Sequence, residues 1–412
     1  MINWKRNLIV LSMVQLSTMI GFSGYHPFVA YYMMDLGVAN AAEAATWMAA
    51  FNSGAAVAMM IASPIWGMLG DRHGRKIMLI RATTAGCVFT FLMGMAANPT
   101  QLVILRVVQG MFSGTVVAAI TLVATGTPDE YLGRSLGIMQ TAQFIGQSIG
   151  PLVGGATADA LGYRNVFFVS AGLMLASVLA TIILVREPKR AEAAEQPTET
   201  AAAARGGALA AVANRNTLLL VLTLAGNSFA IAVLSPVLSL YIKQIIGGEV
   251  PNLATIAGSV MSVAAFSSSL SAIYLGRLAD RIGQKRILVS CVLGVALIHI
   301  PQSFVTHPNQ LIFLRAIQGL FMGGIMPTAN ALLAKATDTE HRGAVFGFSH
   351  SAQAGGRAVG PLVGAGVSNT WGMSSAFLVT AAIFGAMATL VATLVRITES
   401  GDETEGAAPA SA

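Results

Sequence analysis

Apolar residues run along this chain in blocks of about twenty, and each block is cut off by a short polar turn. Such blocks lack the strict alternation of half-buried strands, and as helices they match the roughly 30 Å hydrocarbon core of a bilayer. The pattern predicts spans over 8–34, 44–69, 77–96, 102–124, then from the turn at 129–134 to about 158, and from about 164 to 185. A second set begins near Thr217, Leu253, Ile287, Leu311, Gly343 and Ser374. The first block is too long for the apolar region of a signal peptide and lacks a cleavage site, so it counts as a span. Backbone in lipid must satisfy its own hydrogen bonds, so the expected fold is an all-α polytopic membrane protein. About twelve transmembrane helices would form two pseudo-symmetric six-helix bundles, residues 1–186 and 216–398. Residues 187–215, rich in Ala, Glu and Thr, are expected as a polar cytoplasmic linker, and 399–412 as a disordered cytoplasmic tail.

Composition agrees: of 412 residues, 55% are hydrophobic and 10% charged, against about 25% charged in soluble domains. The formal charge of +6 does not point to nucleic acid, because the basic residues gather in short loops as topology signals do. Lys5 and Arg6 precede the first span, and Arg72, Arg75, Lys76, Arg277, Arg281, Lys285 and Arg286 follow later ones, so both termini are expected in the cytoplasm. Cys87 and Cys291 fall inside separate spans, a placement that indicates neither a disulfide nor a metal site. No cofactor is expected. An ATP-driven pump would need Gly-x-x-x-x-Gly-Lys-Ser/Thr, and a membrane enzyme His-Glu-x-x-His, Gly-x-Ser-x-Gly or a carboxylate pair within the spans. None occurs, so the expectation is a non-enzyme that draws on an ion or substrate gradient.

The two halves are copies. Gly67-Met-Leu-Gly-Asp71-Arg72-His-Gly74-Arg75-Lys76 recurs as Gly276-Arg-Leu-Ala-Asp280-Arg281-Ile-Gly283-Gln-Lys285, a shift of 276 − 67 = 209. Leu105-Arg106-Val-Val-Gln109-Gly110 recurs as Leu314-Arg315-Ala-Ile-Gln318-Gly319 at the same shift. Gly150-Pro151-Leu-Val-Gly154 recurs as Gly360-Pro361-Leu-Val-Gly364 one residue further on. Two parallel halves joined by a linker place a substrate site near the midplane between them.

At these residues the chain resembles the major facilitator superfamily, and within it the twelve-helix drug:proton antiporters. The stretch from Gly67 to Lys76 is similar to that family's signature loop between helices two and three. Leu102-x-x-x-Arg106-x-x-Gln109-Gly110 is similar to its fourth-helix motif. The run Gly146-Gln-Ser-Ile-Gly150-Pro151-Leu-Val-Gly154-Gly155 is similar to the fifth-helix motif typical of exporters. The resemblance implies a monomeric, multi-pass protein of the bacterial cytoplasmic membrane. It would export drugs or other amphipathic small molecules by alternating access, driven by protons. The competing expectations are uptake of a sugar or another small solute, and a sensor that does not transport.

The same residues carry the site expectations. Gly67, Asp71, Arg72, Gly74, Arg75, Asp280, Arg281 and Gly283 would form a latch at the cytoplasmic mouth, where the resemblance implies contacts that form when that side closes. Gly146, Gly150, Gly154 and Gly155, with Pro151, make helix five smooth and bendable, as Gly356, Gly360, Gly364 and Pro361 do for helix eleven. Arg106, Arg315 and Arg357 lie within spans, where a charge costs on the order of 2.5 to 3.5 kcal/mol and turns inward. The resemblance places Tyr25, His26, Gln143, Asn227 and Asn330 with them around the cavity. Many relatives carry a carboxylate in helix one, and Ile20 to Pro27 has none here, so His26, then His350, then Asp35 are the candidates for proton coupling. No acidic residue lies mid-span, whereas the three arginines do. That imbalance predicts neutral or anionic amphipathic substrates over cations.

Overall fold

The computed structural model describes residues 4–186, 214–248, 250–338 and 341–395. Residues 187–213 of the expected linker, and the expected tail, lie outside them. Among the described residues the chain forms twelve helical rods and no strand. They are α1 (Trp4–Asp35), α2 (Ala41–His73), α3 (Arg75–Gly94), α4 (Pro99–Gly126), α5 (Asp129–Leu161) and α6 (Tyr163–Leu184). The second half gives α7 (Arg215–Ile246), α8 (Leu253–Ile282), α9 (Gln284–Gln302), α10 (Pro308–Lys335), α11 (Arg342–Trp371) and α12 (Met373–Leu394).

Ten of these rods are long and apolar enough to cross a membrane by composition. The other two, α5 and α11, fall short because they carry Gly, Ser and Gln for helix contacts where their neighbours carry Leu and Ile. Rods α2 and α5 have 33 residues each, about 50 Å, and overrun the hydrocarbon core. The expected start of α2 at residue 44 moves back to Ala41 because the Asn40 side chain accepts a hydrogen bond from the Glu43 N–H and caps the helix. Breaks follow proline and glycine. The α-helix of α1 gives way to a 3-10 turn at His26–Phe28 around Pro27, and α7 breaks at 235–237 around Pro236. The tight reversals between α2 and α3, α5 and α6, α8 and α9, and α11 and α12 all pivot on glycines at positive φ: Gly74 (95°), Gly162 (87°), Gly283 (102°) and Gly372 (86°). Only glycine adopts that conformation without strain, and the four positions fall into two pairs under the repeat shift.

Twelve successive crossings put the described ends, Trp4 and Val395, on one face, here the terminal face. The halves pack through α1, α2 and α5 of the first against α7, α8 and α11 of the second. One hydrophobic core spans both halves near the far face, gathering Tyr25, Phe28, Tyr31 and Met48 with Leu238, Tyr241, Ala254 and Phe377. Nearer the terminal face the core divides into one cluster confined to each half.

Candidate substrate cleft

The glycines of α5 and α8 show how the halves are set. A Cβ on Gly155 would stand 2.6 Å from the Ala254 carbonyl oxygen, and one on Gly258 would stand 2.2 Å from that of Pro151. Gly137 and Gly276 lie on the same faces, eighteen residues away in each case (155 − 137 and 276 − 258), yet have nothing within 4 Å. Eighteen residues are five whole turns, so the two helices cross in contact near the far face and separate toward the terminal face. A cleft between the halves therefore widens toward the terminal face. Within the second half, Gly356, Gly360 and Gly364 of α11 meet α7 at Ala225, Phe229, Ala232 and Val233.

Hydrogen bonds across the halves gather at the closed end. Asp159 of α5 accepts from the Ala254 N–H (3.0 Å) and the Thr255 N–H (2.8 Å) of α8. Asn369 of α11 donates to the Thr46 hydroxyl of α2 (3.0 Å). The Ser239 hydroxyl donates to the Pro27 carbonyl and Tyr31 to that of Ser239. Nearer mid-span the Asn52 amide donates to Ser235 Oγ (2.9 Å), and Asn52 Oδ1 meets His26 Nε2 at 3.0 Å. His26 thus joins α1, α2 and α7 in one polar chain.

Arg106 is held by its own half. Its Nη1 donates to the Tyr25 hydroxyl (2.7 Å) and to Gln109 Oε1 (2.6 Å), and the Gln109 amide in turn donates to Gly86 and Thr90. The guanidinium lies over Phe51, 5.1 Å from the ring centre. Arg315 repeats the motif without the tyrosine: Nη1 donates to Gln318 Oε1 (2.9 Å), which also accepts from Gln302 (3.0 Å). Each has a buried Nε without a partner.

Arg357 differs. It is exposed in mid-helix and has no hydrogen-bond partner among the described residues. On the wheel of α11 it falls between the glycine line that meets α7 and the Asn369 direction that meets α2, on the side of buried Ala358 and Ala365. Phe348 and Val359, 46% and 51% exposed, mark the opposite, lipid side. The guanidinium therefore faces the cleft. His350, two turns toward the terminal face on the same stripe, is exposed as well. At the place of Arg357 in the first half stands Gln147 of α5, one turn from Gln143, and both are half-buried.

The other expected cleft residues scatter. Tyr25 (0% exposed) and Asn227 (3%) are enclosed in packing, Arg315 (8%) is nearly so, and Asn330 is half-buried on α10. Asp35 is exposed at the far end of α1. Of the expected latch, the side chains of Asp71 and Arg72 and all detail at Gly67 lie outside the described residues. Asp280 and Arg281 are exposed, Asp280 accepting a long bond from the Gln284 amide (3.5 Å). Asn52 and Ser235 were not among the sequence candidates. Neither belongs to a motif, and only the approach of α2 to α7 gives them a role.

Two six-helix halves around a central cleft, closed at one face and splayed at the other, define a transporter of the alternating-access class. The chain belongs to the Major Facilitator Superfamily: the family model matches residues 11–254 and, in a second, overlapping match, 220–411. It is 36% identical over 386 residues to the multidrug resistance protein MdtG of Enterobacter lignolyticus (strain SCF1), covering 93% of this chain and 90% of that protein. The fold is similar to the crystal structure of the nucleoside transporter NupG, with a TM-score of 0.77 at 15% identity over 96% of this chain and 100% of that one. It is similar also to a bacterial homolog of the human lysosomal transporter Spinster in an inward-facing, occupied conformation. There the TM-score is 0.76 at 14% identity, over 93% and 95% of the two chains. The protein is a multi-pass membrane transporter.

Proposed function

We propose that this transporter exports amphipathic small molecules, neutral or anionic in preference to cationic, across a bacterial cytoplasmic membrane by alternating access. The observation that carries the substrate reading is the cleft-facing, unpartnered guanidinium of Arg357, in an interior where no described carboxylate lies mid-span. A carboxylate or phosphonate accepts paired hydrogen bonds from such a group, whereas a lipophilic cation meets its charge in a poorly screened space. Similarity to MdtG, which is named for multidrug resistance, supports export. The lysines and arginines support the orientation: of those described at the helix ends, only Arg164 and Lys243 stand at the far face, and the remainder crowd the terminal face. The terminal face is then cytoplasmic, and the cleft is open to the inside.

The proton gradient supplies the drive in this reading. His26, bonded to Asn52, and His350, open in the cleft, are the groups suited to carry the proton, with Asp35 behind them. The test is efflux from cells with a labelled anionic amphiphile and an ethidium-like cation, for wild type and Arg357→Gln. The reading requires faster efflux of the anion, lost in the variant. Cation efflux matching the best anion and unchanged by Arg357→Gln would overturn it, and net accumulation of substrate would reverse the direction.

A further inference from the structure

Asp159 and Asn369 occupy equivalent places in the two halves, 369 − 159 = 210 residues apart, near the far ends of α5 and α11. Each reaches across to the first turns of a helix in the other half: Asp159 to Ala254 and Thr255 of α8, Asn369 to Thr46 of α2, and Thr255 is the repeat partner of Thr46 (255 − 46 = 209). The two contacts form one pseudo-symmetric closure of the far face. They differ chemically: Asp159 accepts from backbone N–H groups and carries a titratable carboxyl, whereas Asn369 donates to a hydroxyl and does not titrate.

We infer that Asp159 is a proton-operated latch of the far face. Ionised, it offers both carboxylate oxygens to two free N–H groups at the positive end of α8, and the contact fastens the halves. Protonated, it loses its charge and turns one acceptor into a donor with nothing to meet, so acid on the far side favours the open state. The latch acts at the closure between the halves and holds whatever the substrate is, so failure of the export reading would leave it standing.

The surroundings make Asp159 the group to expect. From α8 the atoms that meet it are backbone N–H groups of Ala254 and Thr255, with no ionisable side chain. Tyr163 of α6 stands in electrostatic range of both Asp159 and Asp35, and its ring packs on Tyr31 of α1. Asp35 in turn has Lys243 of α7 in range. Arg164 of α6 is engaged with the Ala96 carbonyl. Among the described residues, Asp35 is thus the other carboxylate able to respond to acid at this place, and Glu43 belongs to the cap of α2.

The experiment places spin labels at Ala160 and Asn252, exposed positions flanking the contact, in a Cys87→Ser, Cys291→Ala background in nanodiscs. Distance distributions are followed between about pH 7.5 and about pH 3, across the ordinary carboxylate range. Wild type should shift toward the longer distance on acidification, by roughly fivefold in the open-to-closed ratio at the acid end, most of the about tenfold limit expected of a charge at a helix N-terminus. Asp159→Asn should abolish the pH response, and Asp35→Asn should keep it. A pH response that survives Asp159→Asn, or one removed by Asp35→Asn instead, overturns the inference. Should Asp159→Asn fold poorly, Thr255→Pro decides the matter: it removes one of the two N–H donors in the first turn of α8 and leaves the carboxylate in place, so an undiminished pH response there refutes the inference equally.

Discussion

A methyl group at residue 154 should be one of the most damaging small changes in the bundle. Built on Gly154, a Cβ would stand 1.9 Å from the Gly24 carbonyl oxygen and 2.7 Å from its carbon, with Phe28 Cε2 at 2.8 Å. Real contacts stay above 3.0 Å, so α1 must retreat by at least 3.0 − 1.9 = 1.1 Å, and the obstacle is backbone rather than a side chain free to rotate. Overpacking of this kind costs about 1–3 kcal/mol, which exceeds the roughly 1 kcal/mol that alanine gains over glycine in a helix. Gly364→Ala meets the Val233 carbonyl at the same 1.9 Å and should behave alike. Gly150→Ala should cost less, because its shortest contact, also 1.9 Å, is the Ser23 hydroxyl, which can turn away. Gly137→Ala and Gly347→Ala enter open space and should be neutral or stabilising. Thermal unfolding of the purified variants in one detergent should rank them in that order, with Gly154→Ala and Gly364→Ala several degrees below wild type. If those two proved as stable as Gly137→Ala, the close approach of α1 to α5 and of α7 to α11 would be refuted.

Tyr25→Phe removes one of the two acceptors of Arg106 Nη1 and should destabilise the first half by about 1–3 kcal/mol, read by thermal unfolding. An unchanged midpoint would mean that Gln109 holds Arg106 alone. Proton-gradient-driven transport should fall in His26→Gln or His350→Gln and further in the double variant, measured as substrate movement after a pH jump in proteoliposomes. Undiminished coupling in all three would exclude histidine and direct attention to Asp35. Asp71→Asn should leave the protein inserted at normal abundance and slow transport, and normal turnover at equal abundance would remove the latch role from that loop.

The spans and the duplication were legible in the chain itself. A bilayer demands about twenty apolar residues per helix wherever that helix ends up, and the copied loops declare the two halves without reference to their arrangement. The turns at Gly74 and Gly283 were legible for a similar reason, since a reversal at positive φ needs glycine in any surroundings. Arg106 with Gln109 was half legible: three residues on one helix place them together, but the third partner, Tyr25, comes from another helix 81 positions away. What the chain could not disclose was which polar groups meet across the halves. Asn52 with Ser235, and Asp159 with the start of α8, come together only because one six-helix half is set against the other with its far end closed. The same placement leaves Arg357 open while its relatives Arg106 and Arg315 are occupied. Hydrophobic periodicity is a local property and survives any rigid rotation of one half. A hydrogen bond about 3 Å long does not, so the lining of the cleft and its closure belong to the tertiary structure.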